Sequence, residues 1–339
     1  MLYVYEEIPA GLLACEATDL HRILPGPSLI HLQGERTEPL FVSVLLHGNE
    51  TTGWQAVRSV LQDFQARRLP RSLSLFIGNV SAAAHGVRHL DEQSDYNRIW
   101  KAEGHHAEDV MVRQILEQMR ERNVFASIDI HNNTGRNPHY ACINRLATPF
   151  FQLATLFSRT VVYFLKPDSV LSMAFAELCP SVTVECGRAV DEASVVVAAE
   201  LIDAALSLQR FPGHPVPHGD IDLMQTFAVI KVPAGVSFSF DGSDAEFCFR
   251  SDLDRLNFSE LSPGTVFGSL GGSRTRRLDV LPASDFAPAG GYFDYADRQI
   301  RLSQSAIPAM LTLDPDAVRL DCLGYLMCRI GRDGRPILE

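Results

Sequence analysis

The chain has 339 residues, 46% of them hydrophobic and 21% charged, which suits a globular protein with one large core or two ordinary ones. Its formal net charge of −11 argues against a general nucleic-acid binder, because no basic excess is present to neutralise phosphates, although a few buried arginines could still hold an anionic small molecule. No run approaches 18 apolar residues, so no membrane-spanning helix is expected.

The N-terminal MLYVYEEIPAGLLACEATD lacks both a basic and an apolar leader segment, so no signal peptide is expected. Residues 28–34 and 41–47 (FVSVLLH) read as strands. TTGWQAVRSVLQDFQARR, 51–68, carries Trp54, Val57, Leu61 and Phe64 at helical spacing. SLSLFIGNV, 72–80, is a strand stopped by Gly78-Asn79. AEDVMVRQILEQMRER, 107–122, is a second amphipathic helix, with Val110, Ile115 or Gln114, Leu116 and Met119 on its buried side. Then come strands at 126–132 and 139–144, a helix at 148–159, strands at 161–165 and 181–186, and a helix at 193–209. Strands alternating with helices of this length predict an α/β fold, its sheet largely parallel and buried on both faces.

The texture changes at FPGHPVPHGD, 211–220, a proline- and glycine-rich linker. Beyond it TFAVIKVP, VSFSF, EFCFR, TVFG, RQIRL and YLMCRI are short strands, so 212–339 reads as a smaller, mostly β domain after an α/β domain at 1–211. The seven cysteines form no C-x-x-C pair and sit in scattered apolar settings, which points to reduced thiols and a cytoplasmic protein.

In an open α/β sheet, ligands bind beyond the carboxyl ends of the strands. His47 and Glu50 follow FVSVLL, His131 follows SIDI, and Glu185 ends SVTV. Two histidines and a carboxylate at adjacent strand ends can supply three zinc ligands and leave a fourth position for water, with Glu185 free to move protons. The plain alternative is a strand-end turn, with Glu50 favouring the first turn of the next helix. Asp129 and His131 are two apart on one strand and share a face, where a carboxylate would orient a ligating ring. Asn97-Arg98 suits fork-like recognition of a carboxylate. Arg88 precedes them, either reaching the site or solvated beside Asp91 and Glu92. His105, His106, His214 and His218 fall in loops.

HGNE, then GN-x-x-A-A with an arginine ahead of D-Y-N-R, then D-I-H-N, then V-E-C-G, in order between about residues 41 and 188, resembles the succinylglutamate desuccinylase/aspartoacylase family of the zinc carboxypeptidase-like superfamily. The resemblance implies a three-layer α/β/α domain with a mixed, largely parallel sheet, and a mostly β C-terminal domain packed over the cleft. It implies one zinc held by His47, Glu50 and His131, with Glu185 as the catalytic base. Asn97 and Arg98 would bind the substrate carboxylate, and Arg88 would polarise the scissile carbonyl. RHLDEQSDYNR is two residues longer than the usual spacing, His89 stands where a tyrosine is common, and FAELCPSVTVE lacks the arginine that aspartoacylases use for a second carboxylate.

The function expected is zinc-dependent hydrolysis of the amide bond of an N-acyl amino acid or a similar small carboxylate-bearing substrate. A metallocarboxypeptidase acting on peptide C-termini would use the same residues. A zinc-binding module without catalysis has no need of Glu185. A thiol hydrolase built on Cys186 is disfavoured, because adjacent residues on a strand face opposite sides. Homo-oligomerisation is compatible with this reading.

Overall fold

The computed structural model describes residues 1–65, 67–189, 191–272, 275–284 and 291–337. Two compact units form: Met1–Asn132, His139–Tyr163 and Pro167–Asp222 make the first, and Asn133–Pro138, Phe164–Lys166 and Leu223–Glu339 the second. Two short segments that precede residue 211 therefore belong with the C-terminal part of the chain.

The first unit holds β1 (Tyr3–Tyr5), β2 (Ser28–Leu32), β3 (Gly34–Val44), β4 (Leu69–Ile77), β5 (Ala126–His131), β6 (Tyr140–Ile143), β7 (Thr160–Tyr163) and β8 (Ser181–Glu185). Their spatial order is β1-β2-β4-β3-β5-β8-β6-β7. The four central strands β4, β3, β5 and β8 are mutually parallel. β2 and β6 run antiparallel to their inner neighbours, so the sheet is mixed. Its helices are α1 (Thr52–Asp63), α2 (Val80–Ala83), α3 (Ala107–Glu121), α4 (Thr148–Thr155), α5 (Leu171–Phe175) and α6 (Glu192–Ser207).

Alternation along β3 divides the layers. Even-numbered Val44 and Ile130 face α1, where a Cβ at Gly53 would lie 2.9 Å from Val44 Cγ1, and α1 packs against α6. Phe41 points the other way and stacks on Phe175 of α5 at 4.2 Å between centroids, in a cluster with Phe76, Trp100 and the α3 residues Met111, Val112, Ile115 and Met119. Helices thus cover both faces, giving the three-layer α/β/α arrangement.

Several boundaries move. Residues 41–47 do not form one strand: β3 stops at Val44, and Leu45 adopts a left-handed backbone with φ 57°. That conformation is uncommon for a bulky side chain and marks a locally strained turn. The turn is held by hydrogen bonds from Gly78 N–H to the Val44 carbonyl (3.0 Å) and from Asn79 N–H to the Leu45 carbonyl (2.6 Å). On α3 the expected Ile115 and Met119 are buried and Leu116 partly so, but Val110 is 41% exposed and Gln114 is exposed, because the first turn of the buried stripe runs through Met111 and Val112 instead. The helix expected over 51–68 ends at Asp63, and Ala66 lies outside the described residues.

In the second unit β9 (Asp222–Lys231) pairs with both β13 (Asp279–Pro282) and β17 (Gly324–Arg329), and β17 also pairs with β16 (Ile307–Ala309). A separate five-stranded sheet follows the order β10 (Phe238–Ser239), β11 (Phe247–Phe249), β12 (Val266–Leu270), β15 (Gln299–Leu302), β14 (Phe293–Asp294). Phe227, Phe247, Phe267, Ile300, Leu311 and Leu326, drawn from both sets of strands, belong to one core of this unit. Among the described residues no helix is long and apolar enough to cross a membrane.

Candidate metal and catalytic site

Three parallel strands deliver the chemistry at their carboxyl ends. After β3 the left-handed Leu45 lifts the chain out of the sheet into His47-Gly48-Asn49-Glu50, where Glu50 N–H closes on the His47 carbonyl at 3.2 Å. A Cβ at Gly48 would sit 2.2 Å from Ala83 N and 2.3 Å from Ala82 C, so only glycine lets this turn press onto α2. The turn places His47 Nδ1 2.7 Å from Glu50 Oε1, while the end of β5 places His131 Nδ1 2.8 Å from Glu50 Oε2. Each oxygen of one buried carboxylate therefore faces one buried imidazole. Donor atoms of the three residues all lie within 4.8 Å of one another.

The opposite ring nitrogens are also taken by carboxylates. His47 Nε2 meets Asp95 Oδ1 at 3.1 Å, and His131 Nε2 meets Asp129 Oδ2 at 2.9 Å. An Nε2–H that donates outward leaves the Nδ1 lone pair pointing inward, the tautomer a metal requires. The electrostatics show a site that draws in positive charge, whether a proton on the rings or a metal ion in its place. Burial would raise the Glu50 carboxyl, but the charges and hydrogen bonds of His47 and His131 hold it far below the usual carboxylate range. Burial would lower the His131 imidazole, yet Asp129 and Glu50 outweigh it and push it well above its ordinary value. Three carboxylates around two imidazoles make a buried site that attracts positive charge. Two nitrogens and an oxygen suit a divalent zinc, so these residues fit the metal that the sequence implies.

Asp95 joins this centre to the stretch that carries Asn97 and Arg98. Its Oδ2 accepts from Arg88 Nη2 at 2.9 Å and Nε at 3.2 Å, and its Oδ1 also accepts from Asn97 N–H at 2.8 Å. Burial would raise this carboxyl, but the hydrogen bond and charge of His47, with Arg88 and Arg98, drive it far below its ordinary range. Arg88 is thus gathered into the site through Asp95. The buried Asn97 accepts from Leu171 N–H at 3.3 Å, and its side-chain nitrogen has no partner among the described residues. Arg98 is half-buried and donates to the Asn97 carbonyl at 2.9 Å.

Glu185 is the register partner of His131 across β5 and β8, so both side chains leave the same face of the sheet. It is only partly buried. Cys186, next to it, is fully buried, and desolvation together with Glu185 and Glu50 pushes its thiol far up, which rules against a thiolate nucleophile. None of the seven cysteines forms a disulfide.

Two contributors escape sequence reasoning. Asp95 is 48 residues from His47 and reads as one acid among several in a polar loop; only the D-Y-N-R pattern hinted at it. Asn132 donates its N–H to Glu50 Oε2 (3.1 Å) and its side-chain nitrogen to Thr52 Oγ1 (2.9 Å) and the Gly187 carbonyl (3.0 Å), while its side-chain oxygen accepts from Thr52 N–H (3.2 Å). It locks the ends of β5 and β8 to the start of α1, and only its place after His131 signalled it.

Residues 37–210 match the family model for the succinylglutamate desuccinylase/aspartoacylase catalytic domain. Comparison with curated proteins gives no match. The fold is similar to that of succinylglutamate desuccinylase from Vibrio parahaemolyticus, at 14% identity and TM-score 0.57, covering 90% of this chain and 86% of that one. A succinylglutamate desuccinylase/aspartoacylase from Rhodobacter sphaeroides aligns at 13% identity and TM-score 0.58, covering 89% of both chains. Murine aminoacylase 3 aligns at 15% identity and TM-score 0.56, covering 87% of this chain and 96% of that one. At these identities the likeness is one of fold.

Proposed function

This chain belongs to the succinylglutamate desuccinylase/aspartoacylase family, and on that premise we propose that it is a zinc-dependent hydrolase of the amide bond in an N-acyl amino acid or a similar small, carboxylate-bearing substrate. The observation that carries the reading is the Glu50 carboxylate set between the Nδ1 atoms of His47 and His131, with a carboxylate behind each ring. The names of the structural neighbours, desuccinylases and an aminoacylase, support amide hydrolysis of small substrates.

His47, Glu50 and His131 would hold the zinc, whose Lewis acidity acts on a water and on a carbonyl oxygen. Asp95 and Asp129 orient the two imidazoles and fix their tautomers. Glu185, beside His131 and partly open, takes a proton from the attacking water and returns it to the leaving amine. Arg88 offers positive charge where the carbonyl oxygen becomes negative, while Asp95 keeps its guanidinium in place. Asn97 and Arg98 bind the substrate carboxylate and so set its register over the reacting carbon.

A hydrolysis screen of the zinc-loaded protein tests this reading. N-acetyl, N-formyl and N-succinyl amino acids should be cleaved in preference to peptides with free C-termini. Turnover confined to peptides would make the protein a metallocarboxypeptidase, and turnover of neither would reject the hydrolytic role.

A further inference from the structure

The stretch RHLDEQSDYNR is where the chain departs from the expected spacing, yet it still brings Arg88 and Asp95 to His47. Gln93 accounts for this. Its N–H donates to the Leu90 carbonyl at 3.0 Å, closing a turn. Its side-chain oxygen accepts from both Leu90 N–H (3.1 Å) and Asn79 Nδ2 (3.0 Å). A backbone N–H can only donate, so the oxygen and nitrogen of the Gln93 amide are unambiguous. The Ala82 N–H on Asn79 Oδ1 at 3.1 Å orients the Asn79 amide in the same way.

Asn79 is buried at the end of β4, and its own N–H donates to the left-handed Leu45. Gln93 thereby ties the long loop to the same strand-end turn that carries His47. A second tie runs from Gly48 N–H to the Arg88 carbonyl at 3.0 Å.

We infer that Gln93 is a positioning residue: its side-chain oxygen folds residues 89–94 into a turn that takes up the extra length, so that Arg88 and Asp95 meet each other and His47. The inference rests on reading the site as hydrolytic. Without that acceptor, the buried Asn79 amide and the Leu90 N–H lose their partner, and the loop gains conformations in which the two ends no longer meet. The Gln93 side-chain nitrogen has no partner among the described residues, so only the acceptor is used. Glutamate should therefore replace Gln93, and methionine, of similar length, should not.

The test uses full-length, zinc-loaded protein. Hydrogen–deuterium exchange should rise across peptides spanning 88–98 and 45–50 in Gln93→Met and stay at the wild-type level in Gln93→Glu. With the best substrate, Gln93→Met should lower kcat by about 10- to 100-fold with little change in KM, as expected when charged groups are misplaced by about an ångström. In an Arg88→Ala background the same change should cost clearly less, because one of the two groups being positioned is gone and only the placement of Asp95 against His47 is left to lose. Wild-type exchange in Gln93→Met, failure of glutamate to replace glutamine, or an equal loss in both backgrounds would overturn the inference. If the wild-type protein hydrolyses no substrate, the proposed function fails, and the exchange comparison alone decides whether Gln93 folds the loop.

Discussion

Asp95 is the most exacting place to perturb the site, because one carboxylate serves three donors. Asp95→Ala removes the acceptor of His47 Nε2 at 3.1 Å, the partner of Arg88 at 2.9 Å and the bond to Asn97 N–H at 2.8 Å. Hydrogen bonds to charged groups contribute about 1.5–3 kcal/mol each, but these share two oxygens and do not add. The side chain is 17% exposed, so solvent screens only part of the loss. Carboxylates behind ligating imidazoles typically govern metal affinity by about 10–100-fold, which corresponds to about 1.4–2.7 kcal/mol. Asp95→Ala should therefore weaken zinc binding by that factor, and turnover should fall further because Arg88 is released as well. Asp95→Asn should do little better, since its NH₂ group must face the His47 ring or the Arg88 guanidinium, both donors. Zinc affinity measured by competition with a chromophoric chelator, with circular dichroism to verify the fold, makes the comparison. Wild-type affinity and turnover in both variants would refute the role given to Asp95.

Glu185→Gln should keep zinc and fold while lowering turnover by about 10²–10⁴-fold, because the amide cannot accept the water's proton; metal analysis and initial rates with the best substrate check it. Arg98→Ala should chiefly raise KM, as a carboxylate clamp acting in ground and transition states does, whereas Arg88→Ala should chiefly lower kcat; steady-state kinetics separates the two. Far from the site, Arg71 is 2% exposed, donates to the carbonyls of Glu38, Leu208 and Gln209, and lies 3.6 Å over the Phe125 ring. Arg71→Met leaves the Glu38 carbonyl on β3 and the two carbonyls just after α6 without their donor and should lower the thermal midpoint by roughly 5–10 °C, read by calorimetry, with kcat at low temperature unchanged.

The strands that carry the site were legible because buried parallel strands read as continuous apolar runs, and the polar residues that interrupt their ends stand out. HGNE, D-I-H-N and V-E-C-G are such interruptions, and the adjacency of β3, β5 and β8 makes them one site. Asp129 was legible from period two alone. Other features were not, for identifiable reasons. The break at Leu45 depends on hydrogen bonds from the end of β4, so local propensity continues the strand through it. Asp95 acquires meaning only when a loop folds against His47, and apart from its place at the head of D-Y-N-R nothing in the sequence sets it apart from Asp91 or Glu92. Val110 was misplaced because helical spacing gives a period but leaves the phase of the buried stripe to packing. Asn133–Pro138 and Phe164–Lys166 join the second unit through tertiary contacts that no composition change announces.

Reconstitution of amide hydrolysis tests the zinc-dependent centre most directly. Protein stripped of metal by a chelator and dialysed should be inactive toward N-acyl amino acids, and one equivalent of zinc per chain should restore turnover to the wild-type protein but not to His131→Ala, which loses a ligand facing Glu50 at 2.8 Å. Full activity in the stripped protein, or zinc-restored activity in His131→Ala, would contradict a hydrolytic metal centre built on His47, Glu50 and His131.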